Sequence, residues 1–145
     1  MSLWVLDTDC LTLFQNEHPL VKRRVSQVNP EEIAVTVITV EEQMRGWLNA
    51  INQSVQSERV IWGYKGFQDG VEYFNSVNVL KFDRDAYNCY TDLVRQKIRI
   101  GTKDLRIAAT VMSKNAILVT RNRRDFERVP DLKFEDWTVE ESGEG

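Results

Sequence analysis

Ile33-Ala34-Val35-Thr36-Val37-Ile38 is the stretch on which the fold turns. Its residues are mostly β-branched, and no period of two separates an inner face from an outer one. That is the pattern of a strand covered on both sides, as in a parallel sheet. Leu3–Leu6 is another short apolar run of the same kind, and Ile117–Val119 is a third. Val77–Phe82 is a weaker strand candidate because Asn78 and Lys81 interrupt it, and a short extended piece is expected within Lys133–Trp137.

Helical spacing fills the intervals. Thr8–Gln15 and Pro19–Val28 read as two short helices, the second with Pro in a favourable first-turn position. Thr39 to Ala50 or beyond reads as a third, opened by a Thr39/Glu42 capping box. Val60, Phe67, Val71 and Phe74 mark a helix over Glu58–Asn75. Asp83 is expected to cap the next helix, with Ala86, Tyr90, Leu93, Val94 and Ile98 in one stripe. Thr102 is expected to cap Lys103–Asn115. Strands alternating with helices predict an α/β chain: a three-layer α/β/α sandwich around a central, mostly parallel sheet with right-handed crossovers. Residues 1–139 are expected to form one domain, followed by a solvated acidic tail, Glu140–Gly145.

Composition narrows the function classes. The 145 residues are 42% apolar, with 4 Trp, 4 Tyr and 6 Phe, enough for a single sizeable core. Nineteen Lys and Arg against 22 Asp and Glu leave a net charge of -3, so the chain is no polycation, although a local basic patch stays open. Cys10, Cys89 and His18 are too few to close a structural zinc site. No apolar run reaches the ~20 residues needed to span a bilayer, and no signal peptide is evident. A reducing, cytoplasmic location without a membrane is the expectation.

Open parallel sheets bind ligands at the carboxyl ends of their strands. Asp7 directly follows Leu3–Leu6, with Thr8 and Asp9 behind it; Glu42 opens a helix; Asp104 opens another; Thr120, Asn122 and Asp125 follow Ile117–Val119. Ordinary structural accounts exist for several of these. Glu42 completes a capping box, and Asp104 suits the dipole of a helix first turn. Asp7 is harder to dismiss, because a carboxylate at the end of a buried strand is expensive unless paired or bound to a cation. Hard oxygen donors without histidine or thiolate suit Mg²⁺ or Mn²⁺. Without metal, such carboxylates repel and raise one another's pKa.

Four segments in order resemble the PIN-domain family, in particular the VapC-type toxin ribonucleases. They are Leu6-Asp7-Thr8-Asp9, Thr39 to Gly46 (T-x-x-E-x-x-x-G), Ile100 to Ala109 (IGxxDLxIAA), and Leu118 to Phe126, which is similar to LVTxNxxDF. Val129-Pro130-Asp131-Leu132 with Trp137 resembles the closing stretch, so the match covers nearly the whole chain. The resemblance implies endonucleolytic RNA cleavage with Mg²⁺ or Mn²⁺, an antitoxin partner and a homodimer. It makes Asp7, Glu42, Asp104 and Asn122 the catalytic positions. Asp7 and Asp104 become the metal ligands, with Glu42, Asp9 and Asp125 as further candidates, and Thr8 and Thr120 orient the carboxylates. Asn122 stands at a fourth acidic position, and Asp9 stands where the family usually has Asn. Lys103, Arg106, Arg121, Arg123 and Arg124 would then surround the acids and contact RNA phosphates.

The aromatic residues of the middle helices, Trp47, Trp62, Tyr64, Phe67, Tyr73 and Phe74, are read first as core. Trp62 and Tyr64 cannot both face the same side as Phe67 and Phe74, so the alternative is an exposed patch for an antitoxin segment or a second copy of the chain. Gly63, Gly66 and Gly70 would let another backbone approach. Two rival functions stand. Asp7-Thr8-Asp9 also imitates the D-x-D of haloacid-dehalogenase phosphatases, but Leu11 stands where that family expects Thr or Val. A PIN-like scaffold binding RNA or protein without cleavage rests on Asn122 alone.

Overall fold

The computed structural model describes residues 2–140. Five strands form one all-parallel sheet: β1 Trp4–Leu6, β2 Ile33–Thr36, β3 Val79–Leu80, β4 Ile117–Val119 and β5 Phe134–Glu135, in the order β3-β2-β1-β4-β5. The helices are α1 Thr8–Gln15, α2 Pro19–Ser26, α3 Val37–Gln53, α4 Ser57–Asn75, α5 Arg84–Arg95, α6 Thr102–Ser113 and α7 Arg123–Phe126, with a 3₁₀ turn over Pro30–Glu32.

The lack of alternation along the strands now has its cause. Val5, Ala34 and Leu118 face one core with Leu93 of α5 and Ile107, Ala108 and Val111 of α6. Their neighbours Leu6, Val35 and Val119 face a second core with Cys10 and Leu11 of α1, Val21 of α2 and Trp137. Both pleat faces are apolar because both are covered by helices, which is the expected three-layer sandwich.

Boundaries moved where a cap outweighs β-propensity. The second strand ends at Thr36, not Ile38, because the Thr36 side chain accepts a hydrogen bond from Thr39 N at 3.2 Å and starts α3 two residues early. The Thr39/Glu42 capping box therefore does not form. Likewise α6 begins at Thr102 with Gly101 as its N-cap residue, so Thr102 is not the cap. Asp83 does cap α5, accepting from Ala86 N at 3.1 Å. Pro19 sits in the first turn of α2 as expected, with the His18 ring capping that helix from Nδ1. Of the tail, Glu140 pairs with Arg23 at 3.0 Å, and residues 141–145 lie outside the described residues.

The α3–α4 hairpin departs from expectation most. Trp62 and Tyr64 are more than half exposed, as is Ile61, so these aromatics are surface and not core. The helical glycines admit α3 side chains rather than a foreign backbone. A Cβ on Gly66 would stand 2.3 Å from the Trp47 ring, one on Gly70 2.5 Å from Met44 Cε, and one on Gly63 2.8 Å from Ile51 Cγ1. Trp47 in turn meets Trp62 edge-on, with ring centroids 4.9 Å apart. Gly66→Ala is expected to lower stability by about 1–2 kcal/mol, since overpacking (~1–3 kcal/mol) outweighs the helix gain of up to ~1 kcal/mol. Gly46→Ala, with nothing within 4 Å of its added Cβ, keeps only the gain. Urea midpoints moving in opposite directions for the two variants check this; a G66A midpoint equal to or above wild type contradicts it.

Candidate active site

Parallel strands bring the polar residues to one edge. Asp7 leaves β1 and its amide donates to Val119 O of β4 at 3.0 Å, so the ends of the two central strands are tied together. Asp7 is only 5% exposed. Its Oδ1 accepts from Cys10 N at 2.8 Å, which makes it the cap of α1. Burial pushes this carboxyl above its ordinary range; hydrogen bonds from Thr120 and from the amide and thiol of Cys10 pull it partway back, and the charge of Asp9 adds a smaller upward push. The same burial, with Asp7 alongside, drives the Cys10 thiol far upward, so Cys10 is an inert core thiol.

Thr8 connects α1 to α3. Its hydroxyl donates to Glu42 Oε1 at 2.5 Å and lies 3.0 Å from the hydroxyl of buried Thr39. Thr39, freed from capping, is thus an inner prop of Glu42 that sequence reasoning assigned elsewhere. Asp104 stands in the first turn of α6, and its carboxyl is pushed up to about 6, by burial first and then by the charges of Asp7, Glu42 and Asp125. These effects mean that acids from four elements share one field. Asp7, Glu42, Asp104 and Asn122 line one open cavity, together with Asp9 and Arg121.

The other candidates have partners of their own. Thr120, fully buried, donates toward Asp7 and accepts from Asn122 N at 3.0 Å. Asn122 caps α7: its Oδ1 accepts from Asp125 N at 3.4 Å and its Nδ2 donates to Asp125 Oδ2 at 2.9 Å. Asp125 is not among the cavity's lining residues, although its charge reaches Asp104. Asp9 is held by Arg121 through two bonds, Nε to Oδ2 at 2.5 Å and Nη2 to Oδ1 at 3.3 Å. Of the five basic residues, only Arg121 lines the cavity. Lys103 is bound by Glu41 at 2.5 Å, Arg106 lies over the Tyr90 ring, and Arg123 and Arg124 are exposed on α7.

Among the described residues no salt bridge reaches Asp7, Glu42 or Asp104. Nor do any three His, Cys, Asp or Glu side chains already close into a ligand cage among them. Asp7, Glu42 and Asp104, carboxylates lining one open cavity, are oxygen donors of the kind a hard divalent ion takes.

A family comparison settles the kinship: residues 4–132 match the PIN domain model. The chain belongs to the PIN-domain family. This PIN domain is 32% identical over 145 residues to "Ribonuclease VapC1" of Haemophilus influenzae strain R2866, covering 94% of this chain and 98% of that one. It is 28% identical over 142 residues to the "tRNA(fMet)-specific endonuclease VapC" of Salmonella typhimurium strain LT2, covering 94% and 99%. Among solved structures, VapBC-1 from nontypeable Haemophilus influenzae superposes with a TM-score of 0.73 at 29% identity, over 94% of this chain and 99% of that one. The DNA-bound VapBC from Salmonella typhimurium gives 0.68 at 27% identity, over 94% and 99%. No helix among the described residues is long and apolar enough to cross a membrane.

Proposed function

We propose that this PIN domain is the toxin of a toxin–antitoxin pair, an endoribonuclease that needs Mg²⁺ or Mn²⁺ and is restrained by an antitoxin protein. The cytoplasm is the compartment proposed for it. One observation carries the reading: Asp7, Glu42 and Asp104 line a single cavity, no salt bridge among the described residues reaches them, and the one basic residue lining that cavity, Arg121, is bound by Asp9. The names borne by its relatives support the substrate class.

Asp7 and Asp104 would hold the ion, and Glu42 reaches the same cavity. A divalent ion there supplies Lewis acidity toward phosphoryl oxygen and toward water. The chain's own residues do the rest. Thr8, itself in contact with the Thr39 hydroxyl, holds one oxygen of the Glu42 carboxylate and so orients that acid in the cavity. Thr120 and the Cys10 amide fix Asp7 in the same way. Asn122 spends both polar atoms of its side chain on Asp125, and its role is to keep that acid's charge near Asp104.

The phosphatase alternative needs Asp9 as a free general acid, and the two-pronged grip of Arg121 opposes that. Purified protein supplied with a labelled RNA and with p-nitrophenyl phosphate is expected to cut the RNA internally and leave the aryl phosphate intact. Aryl-phosphate turnover without RNA cleavage would overturn the reading.

A further inference from the structure

Arg121 and Asp9 are both about half exposed, and both line the cavity that holds the acids. Their contact uses two donors of the guanidinium fork, Nε and Nη2, on the two oxygens of one carboxylate. A phosphodiester offers two non-bridging oxygens on one phosphorus, so the fork that grips Asp9 can also grip an RNA phosphate through two bonds. The contact is also cheap to break, because a pair this exposed is screened by solvent. The remaining cation close by, Lys103, is bound by Glu41, and neither lines the cavity.

We propose that Asp9 and Arg121 form an exchange latch beside the acids: Asp9 holds the guanidinium while no RNA is bound, and a backbone phosphate takes it over when RNA enters. Asp9 is then a positioning residue acting through Arg121, and not a metal ligand. The latch lowers affinity for any polyanion by the strength of the pair, and it aims Arg121 in advance at the place where the phosphate arrives. This rests on the ribonuclease reading and deepens it.

Binding of a fluorescein-labelled single-stranded RNA in EDTA, where no cleavage is expected, tests the latch across a double-mutant cycle. Asp9→Asn is expected to tighten binding about two- to fivefold, the size of an exposed ion pair. It should also steepen the salt dependence by up to about 0.7 in log–log slope, because the bound state no longer leaves a bare carboxylate. Arg121→Gln is expected to weaken binding and flatten that slope. The deciding quantity is the coupling: D9N should tighten binding more with Arg121 present than in the R121Q background. Equal D9N effects in both backgrounds mean that only a negative charge was removed, which overturns the latch and leaves the ribonuclease reading standing. A wild-type protein that neither binds RNA nor cuts it with Mg²⁺ or Mn²⁺ overturns the ribonuclease reading itself.

Discussion

Asp7→Asn is expected to lower RNA cleavage by more than about a hundredfold, beyond what loss of an outer-shell partner of a metal costs. The same variant should leave the metal-free protein at least as stable as wild type. Asn keeps an Oδ1 that can accept from Cys10 N, so the α1 cap survives. What disappears is the charge of a buried residue that acts on the neighbouring Asp104 carboxyl. Loss of activity together with retained or raised thermal stability in EDTA separates a functional acid from a structural one. A clearly lower melting temperature for the variant in EDTA would contradict the account of Asp7 as an uncompensated charge.

Acidification is expected to stabilise the metal-free protein, against the usual trend for paired carboxylates. Asp104 ionises at about 6 in the folded chain against an ordinary 3.8, so the folded state holds its proton where the unfolded state has lost it. The favourable contribution is therefore complete below the ordinary value and is lost as pH rises through about 6. Asp7, raised in the same direction, adds to it. Glu41 and Asp83, whose carboxyls are lowered by Lys103 and Lys114, work the other way, but at more acidic pH. The interval for Asp104 corresponds to nearly 3 kcal/mol unscreened, and its partial exposure reduces this to about 1 kcal/mol. Urea midpoints in EDTA should rise from pH 7 to pH 5.5 in wild type, by more than in Asp104→Asn, since the difference isolates Asp104 from every other titrating group. A divalent ion should stabilise wild type at pH 7 and stabilise D104N much less. Parallel pH profiles for the two proteins would contradict the shared field of acids.

Much of this was legible because the chain states it redundantly. Three apolar runs without alternation, each followed by a polar residue and the first two by a helix, are enough to predict the parallel sheet and to point to its carboxyl edge; the short α7 after the third was not read. Asp7 was legible because a carboxylate directly after a buried strand is costly to leave without a cation, although its local role as the cap of α1 was not read from the sequence. Thr36 and Thr39 were misread because they stand one helical turn apart, and both are competent caps. Only the start of α3 decides which hydroxyl faces the backbone and which faces Thr8. The Asp9–Arg121 contact spans 112 residues, and nothing local marks it. Helical spacing already set Trp62 and Tyr64 apart from Phe67 and Phe74; what it did not reveal is that α4 packs along α3 through glycines that take in Trp47 and Met44.

The account stands on the acidic cavity being a divalent-ion-dependent centre for cutting RNA. The direct measurement is cleavage of a mixed RNA pool by antitoxin-free protein stripped with EDTA, then resupplied with Mg²⁺ or Mn²⁺, with Asp7→Asn treated identically. No cleavage is expected in EDTA, with cleavage restored by either ion in wild type and none restored in the variant. Wild-type cleavage that persists in EDTA, or cleavage that either ion restores equally in Asp7→Asn, would contradict it.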